Sequence, residues 1–263
     1  MNMTPAVKQI LIINILFFIG TLAVPMSEEI LALHYFESPQ FKIWQLFTHM
    51  FMHAGIAHIA FNMFGLISFG SALEHYWGSK KFVFFYLSCG LGAALIQLGV
   101  NYYSLHSTLN ELSALNLSKT DLNTLLNMNY KGLFDSDGKM IKGDIQDILT
   151  KVNCTQDQFN TLSNAVFTYQ GKMVGASGAI YGLLIAFAFM FPNAELMMIF
   201  LPIPIKAKFF VPILLALDLF SGVTGSSLLG AGIAHFAHLG GALIGFILMW
   251  YWRNNKFNHN RWN

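Results

Sequence analysis

The sequence predicts an all-α, polytopic membrane protein: a bundle of six transmembrane helices with a polar outer insert between the third and the fourth. Three observations lead to it. Hydrophobic residues make up 55% of the chain and charged residues 11%, and the mean hydropathy is +0.52, far more apolar than a soluble domain of this length requires. Crossing a hydrocarbon core takes about 20 apolar residues per helix. Six stretches meet that length, at 7–25, 56–75, 82–103, 174–191, 209–224 and 231–252. Between the third and fourth, residues 104–172 interrupt the hydropathy with Asn-, Ser- and Asp-containing sequence.

The first stretch, "VKQILIINILFFIGTLAVP", has too long an apolar core for a signal peptide, and no small-x-small cleavage site follows it, so it reads as a retained span. Residues 25–55 form an irregular outer loop. The aromatic run "FVFFY" of the third span is ordinary lipid-facing or core surface. In the insert, "LNTLLNM", "IQDILTKV" and "FNTLSNAV" have mild helical periodicity and predict small helices. "DSDGK" at 135–139 resembles part of a calcium loop, but Leu133 stands where that loop should open and the next acid is wrongly spaced, which leaves a turn. Gly222 and Gly225 fray the fifth span. The expected organisation is 1–103 with spans one to three and the first outer loop, 104–172 as the insert, and 173–263 with spans four to six, the spans forming one membrane domain.

Six spans place both termini on one side. That side carries Lys8, Lys80, Lys81, Lys206, Lys208, Arg253, Lys256 and Arg261 against Glu74 and Glu195 alone, whereas the other carries seven lysines and eleven acids. Basic residues favour the inner face, so both termini are expected to be cytoplasmic, with a bacterial inner (plasma) membrane as the location. The overall charge of +2 describes this orientation and gives no reason to expect a nucleic-acid partner. Cys89 in a span and Cys154 in the insert are not expected to pair. Glu74, just before "HYWGSKK", reads as a solvated helix-end group beside an interfacial Trp77.

Histidine inside a span is costly and usually faces a protein interior or a wet cavity, so it marks a candidate site. Three polar clusters occur: "HMFMHAGIAHIAFN" with His49, His53, His58 and Asn62; "VGASGAIYG" with Ser177; and "AHFAHLGG" with His235 and His238. His58 and Asn62 begin span two and Ser177 begins span four. His238 lies seven residues into span six, about 10 Å deep at 1.5 Å per residue. Spans two, four and six all run from outside to inside, which puts the three clusters at similar depth near the outer face. His58 and Asn62 share a helix face at i and i+4, as do Ser177 and Tyr181. His238, Gly241, Ala242 and Gly245 form a stripe that lets span six lie close to Gly178 and Gly182 of span four. Such an approach is what a Ser–His pair on two helices requires.

Each group also has a plainer reading. Gly175, Gly178 and Gly182 around Ser177 are common helix-packing residues in lipid, and His238 alone fits a buried hydrogen-bonding histidine or a metal ligand. His58 with Asn62 either caps a loop or aims two donors at an oxyanion. His49 and His53 read as structural residues of the 25–55 loop, and His235 as a gate or solvated residue. Two other functions stay open. One is a metal-binding or transport protein built on His49, His53, His58, His235 and His238, although no HExxH motif is present and no carboxylate or thiolate joins the cluster in sequence. The other is a non-catalytic membrane chaperone.

The set His58-x-x-x-Asn62, Gly175-Ala-Ser-Gly178 and Ala237-His-x-x-Gly241-x-x-x-Gly245 resembles the rhomboid intramembrane serine proteases, over about 41–103 and 173–252. The resemblance implies Ser177 as nucleophile and His238 as general base and then acid. It also implies an oxyanion hole of His58, Asn62 and the backbone N–H of Ser177, with Tyr181 packed on the His238 ring. Gly175, Gly178, Gly241, Gly245 and His53 would support the site, with no metal or cofactor. The partners implied are the lipid bilayer and a single-span membrane protein, cut near the outer membrane boundary at a small residue with a helix-destabilising stretch nearby. The family uses a dyad without an acidic third member, in keeping with Asp218 as the only acid in or beside spans four to six on the outer side. "SGVTGSSLLGAG" at 221–232 resembles a flexible cap and gate. Two departures stand out: Trp44-Gln45 replaces the Trp-Arg pair often found in the first outer loop, and the 104–172 insert is long.

Overall fold

A computed structural model describes residues 3–24, 26–198, 201–226 and 233–253. Pro25 of the first stretch, residues 227–232 of the glycine- and serine-rich stretch, the start of the sixth stretch at 231–232, and Lys256 and Arg261 of the charge argument lie outside these. The helices are α1 (Pro5–Ala23), α2 (Ser27–Leu31), α3 (Gln45–Thr48), α4 (Ile56–Gly65), α5 (Ser71–Trp77), α6 (Ser79–Glu111), α7 (Lys119–Leu126), α8 (Asp144–Lys151), α9 (Gln156–Gln170), α10 (Ser177–Met190), α11 (Ala207–Thr224) and α12 (His235–Arg253). A π-helical turn, Leu66–Gly70, carries α4 into α5 without a break.

Four of these are long and apolar enough to cross a membrane among the described residues: Pro5–Ala23, Ile56–Trp77, Ser79–Glu111 and Ala207–Thr224. The protein is an integral membrane protein. The helices at the fourth and sixth expected spans are α10, apolar but only 14 residues long, and α12, whose first four residues include His235 and His238. Both begin later than the hydropathy suggests. His238 therefore lies in the first turn of its described helix and not seven residues deep. An antiparallel hairpin, Glu195–Met198 with Leu201–Lys206, joins α10 to α11 and pairs Glu195 with Lys206.

Two compact units emerge. The first comprises residues 1–33, 42–97 and 173–263, and the second 34–41 and 98–172. Residues 34–41, read from sequence as part of the first outer loop, belong to the second unit because its own residues hold them. The Tyr169 hydroxyl donates to the Glu37 carbonyl at 3.0 Å, and the Tyr35 and Tyr169 rings meet edge-on at 6.0 Å. Within that unit α7 is capped by Ser118, whose hydroxyl accepts from the Asp121 N–H at 3.1 Å. A reciprocal Thr155–Gln158 capping box opens α9. The 135–139 stretch is a turn: Asp135 Oδ1 accepts from the N–H groups of Asp137 (3.0 Å) and Lys139 (2.8 Å), and Gly138 supplies φ +74°.

In the first unit the core centres on Leu66, Leu73, Phe82, Phe85, Tyr86 and Leu183, all fully buried. Glu74 is not solvated. It is 2% exposed, and its carboxylate accepts from Ala6 N–H (2.8 Å), Val7 N–H (2.9 Å), the Ser79 hydroxyl (2.6 Å) and the Thr4 hydroxyl. The first N–H groups of a helix have no partner within it, and negative charge there is favoured by the helix dipole. Glu74 thus caps α1 from the middle of α5, a long-range contact that local sequence does not reveal. Trp77 likewise packs inward, 5.0 Å from Phe85 and 5.6 Å from Trp252 between ring centroids. Replacing Glu74 by Ala strands these donors and should destabilise the fold by about 2 kcal/mol or more, read as a lower unfolding midpoint in detergent.

Candidate active site

The site is built where α10 begins. Gly175 has φ +128°, a backbone region costly for any residue with a Cβ. Its N–H donates to the His49 carbonyl at 2.9 Å, which fixes the approach to Ser177. A Cβ on Gly175 would lie 2.8 Å from His58 Nε2 and 3.6 Å from Ser177 Oγ. The His58 ring and the serine hydroxyl therefore flank one small space that only glycine leaves open. Ser177 is the first residue of α10, so its N–H is free of intrahelical bonding.

The glycine stripe has the role its spacing suggests. A Cβ on Gly241 would collide with the Gly178 carbonyl oxygen, and one on Gly245 would stand 2.8 Å from Gly182 Cα. On the other side, Gly178 faces Ala93 Cβ and Gly182 faces Cys89 Sγ of α6. With backbone against backbone, α12 carries His238 Nε2 to 2.8 Å from Ser177 Oγ. The His238 ring stacks on Tyr181, centroids 4.2 Å apart and planes inclined by 14°.

His58 and Asn62 project from α4. His58 Nδ1 accepts from the Ala54 N–H at 3.4 Å, which leaves Nε2 as the protonated nitrogen on the side of Gly175. Asn62 is buried, and its amide nitrogen donates to the His58 carbonyl at 3.0 Å, leaving its second N–H available. His53 packs edge-on against His58 at 5.1 Å.

One residue was read too lightly from sequence. Asp218 on α11 is fully buried, and its Oδ1 accepts from His235 Nδ1 at 2.6 Å and His238 Nδ1 at 3.2 Å. A carboxylate does join the histidine cluster, contrary to expectation. His235 is correspondingly no solvated residue: its side chain is 10% exposed and bound to Asp218. The signal was present in the sequence as a lone acid in an apolar span, a group that lipid cannot tolerate without a partner. Asp218, His235 and His238 each offer one metal-ligand atom, all within 4.8 Å. Among the described residues no other His, Cys, Asp or Glu group of three is so close, so His49, His53 and His58 do not join them.

The Rhomboid domain matches residues 40–108 and 155–255, well over half of the chain. The chain belongs to the rhomboid family. It is 42% identical over 60 residues to Rhomboid protease GluP of Bacillus subtilis, a stretch covering 23% of this chain and 12% of that protein. Over 58 residues it is 34% identical to Rhomboid protease GlpG of Salmonella newport, covering 22% and 21%. Over 81 residues it is 33% identical to Rhomboid protein 1, mitochondrial, of Saccharomyces cerevisiae, covering 31% and 22%. The matched stretches thus span less than a quarter of the length of these relatives.

In this rhomboid the segment before α4 is held by polar side chains. Gln45, at the position where arginine is often found, is fully buried; its oxygen accepts from the Lys42 N–H at 3.1 Å and its amide donates to the Ile30 carbonyl at 3.3 Å. The Trp44 indole N–H donates to the same carbonyl at 3.0 Å. His49 Nδ1 donates to the Gln45 carbonyl at 2.8 Å. Burial lowers the pKa of His49 to about 4. His53 is also lowered to about 4, by burial first and by the neighbouring His58 second.

Both histidines are neutral in the fold and take up protons near 6.5 when unfolded. Stability is therefore full above that value and falls as pH drops through 6.5 toward 4. Between pH 7 and 5 the loss should be about 2 kcal/mol for each, measured as unfolding midpoints in detergent, and smaller in His53→Asn. At the helix seam, Gly241→Ala should cost about 1–3 kcal/mol or more and separate Ser177 from His238, so midpoint and serine reactivity fall together.

Proposed function

We propose that this rhomboid is an intramembrane serine endopeptidase that cuts transmembrane segments of single-span membrane proteins near the outer membrane boundary. The observation that carries the reading is the 2.8 Å contact between Ser177 Oγ and His238 Nε2. Ser177 Oγ attacks the scissile carbonyl carbon while its proton passes to His238 Nε2. The charge that develops on the carbonyl oxygen is stabilised by the Ser177 N–H, His58 Nε2–H and the free amide N–H of Asn62. On collapse His238 returns the proton to the leaving amine nitrogen, the C–N bond breaks, and an acyl ester remains on Ser177. Water then adds to the ester carbonyl, giving its proton to His238; the bond between Ser177 Oγ and the carbonyl carbon breaks, His238 returns the proton to Oγ, and the carboxylic acid product leaves.

Tyr181 holds the plane of the imidazole, and the close seam of α10 and α12 keeps the pair in register. A six-span topology with both termini cytoplasmic in a bacterial inner (plasma) membrane is supported by the charge asymmetry and by α10 and α12 at the fourth and sixth positions. The membrane region would comprise 1–103 and 173–263, with 104–172 as an outer insert. The names of the two bacterial relatives support a protease. The intact Ser177 and His238 argue against a non-catalytic chaperone on this scaffold.

Ser177→Ala and His238→Ala should each lower cleavage of a transmembrane substrate in proteoliposomes by about a thousand-fold or more, with the double variant no worse than either single one. Full cleavage in either, in protein whose unfolding midpoint matches wild type, removes the proposal. His58→Ala should lower kcat by about 100-fold in the same assay.

A further inference from the structure

We infer that Asp218 is a positioning residue for His238, so that the reactive pair is the end of a Ser177–His238–Asp218 triad, with His235 as a second donor to the same carboxylate oxygen. The inference rests on the protease reading above. Neutral imidazole carries one N–H and one acceptor nitrogen, and only the tautomer protonated at Nδ1 leaves Nε2 able to take the Ser177 proton. An ionised carboxylate only accepts hydrogen bonds. Asp218 Oδ1, 3.2 Å from His238 Nδ1, therefore selects that tautomer, and it stands beside the positive charge that His238 acquires when the serine oxygen attacks.

His235 completes the arrangement. Its Nδ1 lies 2.6 Å from the same Oδ1, and its ring is almost perpendicular to that of His238, 87° between planes and 6.5 Å between centroids. Two imidazoles three residues apart on α12 thus hold one carboxylate from α11. Asp218 is fully buried, so with water shut out the carboxylate keeps its hold on the Nδ1 proton. No proton passes to Asp218 in this scheme; it orients His238 and balances its charge.

The test is the rate at which a fluorophosphonate probe phosphonylates Ser177 in purified full-length protein, resolved into maximal rate and half-saturating concentration, with unfolding midpoints in parallel. Asp218→Asn keeps the shape and removes the charge. It should lower the maximal rate by about ten-fold or more and leave the half-saturating concentration within about two-fold, while Asp218→Glu recovers much of the rate. Nitrogen-15 spectra of histidine-labelled wild type, with His238 assigned by its loss in His238→Gln, should show protonation at Nδ1. Three results overturn the triad: an Asp218→Asn rate within about two-fold of wild type, Asn and Glu variants that lose rate in parallel with midpoint, or a wild-type His238 protonated at Nε2. Wild type that stays unlabelled at Ser177, with Ser177→Ala as control, overturns the protease reading itself; a labelled wild type with an unaffected Asp218→Asn overturns only the triad.

Discussion

The contact on which the site depends is between two backbones. Where α10 meets α12, the atoms that touch are Gly178 and Gly182 against Gly241 and Gly245, with no room for a methyl group between them. Lipid chains are as apolar as leucine, so helices in a bilayer gain little from hiding apolar side chains and associate through close packing and hydrogen bonds. Glycine weakens a helix by about 1 kcal/mol relative to alanine, and four of them in one seam are tolerated because of what the approach makes possible. The 2.8 Å contact of His238 with Ser177 and the stacking of Tyr181 on the imidazole both follow from it.

Buried polar groups supply the second kind of order. Each joins segments distant in the chain: Glu74 ties α5 to the start of α1, the His49 carbonyl holds Gly175, and Asp218 joins α11 to α12. In water such bonds contribute little net free energy, but an unpartnered polar group in hydrocarbon costs several kcal/mol. The penalty for misplacing any of these groups selects one arrangement of the helices. The glycines permit close approach and the polar groups fix which residues face each other.

Much of this was legible in the sequence, and what was not shares a cause. Ser177, His238, His58, Asn62 and Tyr181 could be grouped because helical periodicity and alternation of direction across spans are properties of the chain itself. The turn at 135–139 was legible because Asp135 bonds its own neighbours. Glu74 and Asp218 were misread because their partners lie about 70 and 20 residues away, and an acid's position along a span says nothing of which helix it faces. His235 followed the same error: without its carboxylate it looked solvated. The start of α10 was missed because hydropathy does not register Gly175, whose left-handed backbone holds the chain out of helix until Ser177.

The cap on α1 also bears on how the chain is made. Thr4, Ala6 and Val7 are made before the carboxylate that satisfies them, which belongs to Glu74, itself held by Ser79. At a synthesis rate of about 5–20 residues per second, the start of α1 waits several seconds for its partner. Until then its N–H groups must rest with water or headgroups at the membrane surface. α1 is therefore completed only once α5 is in place behind it, and the order of synthesis is not the order in which these helices become final.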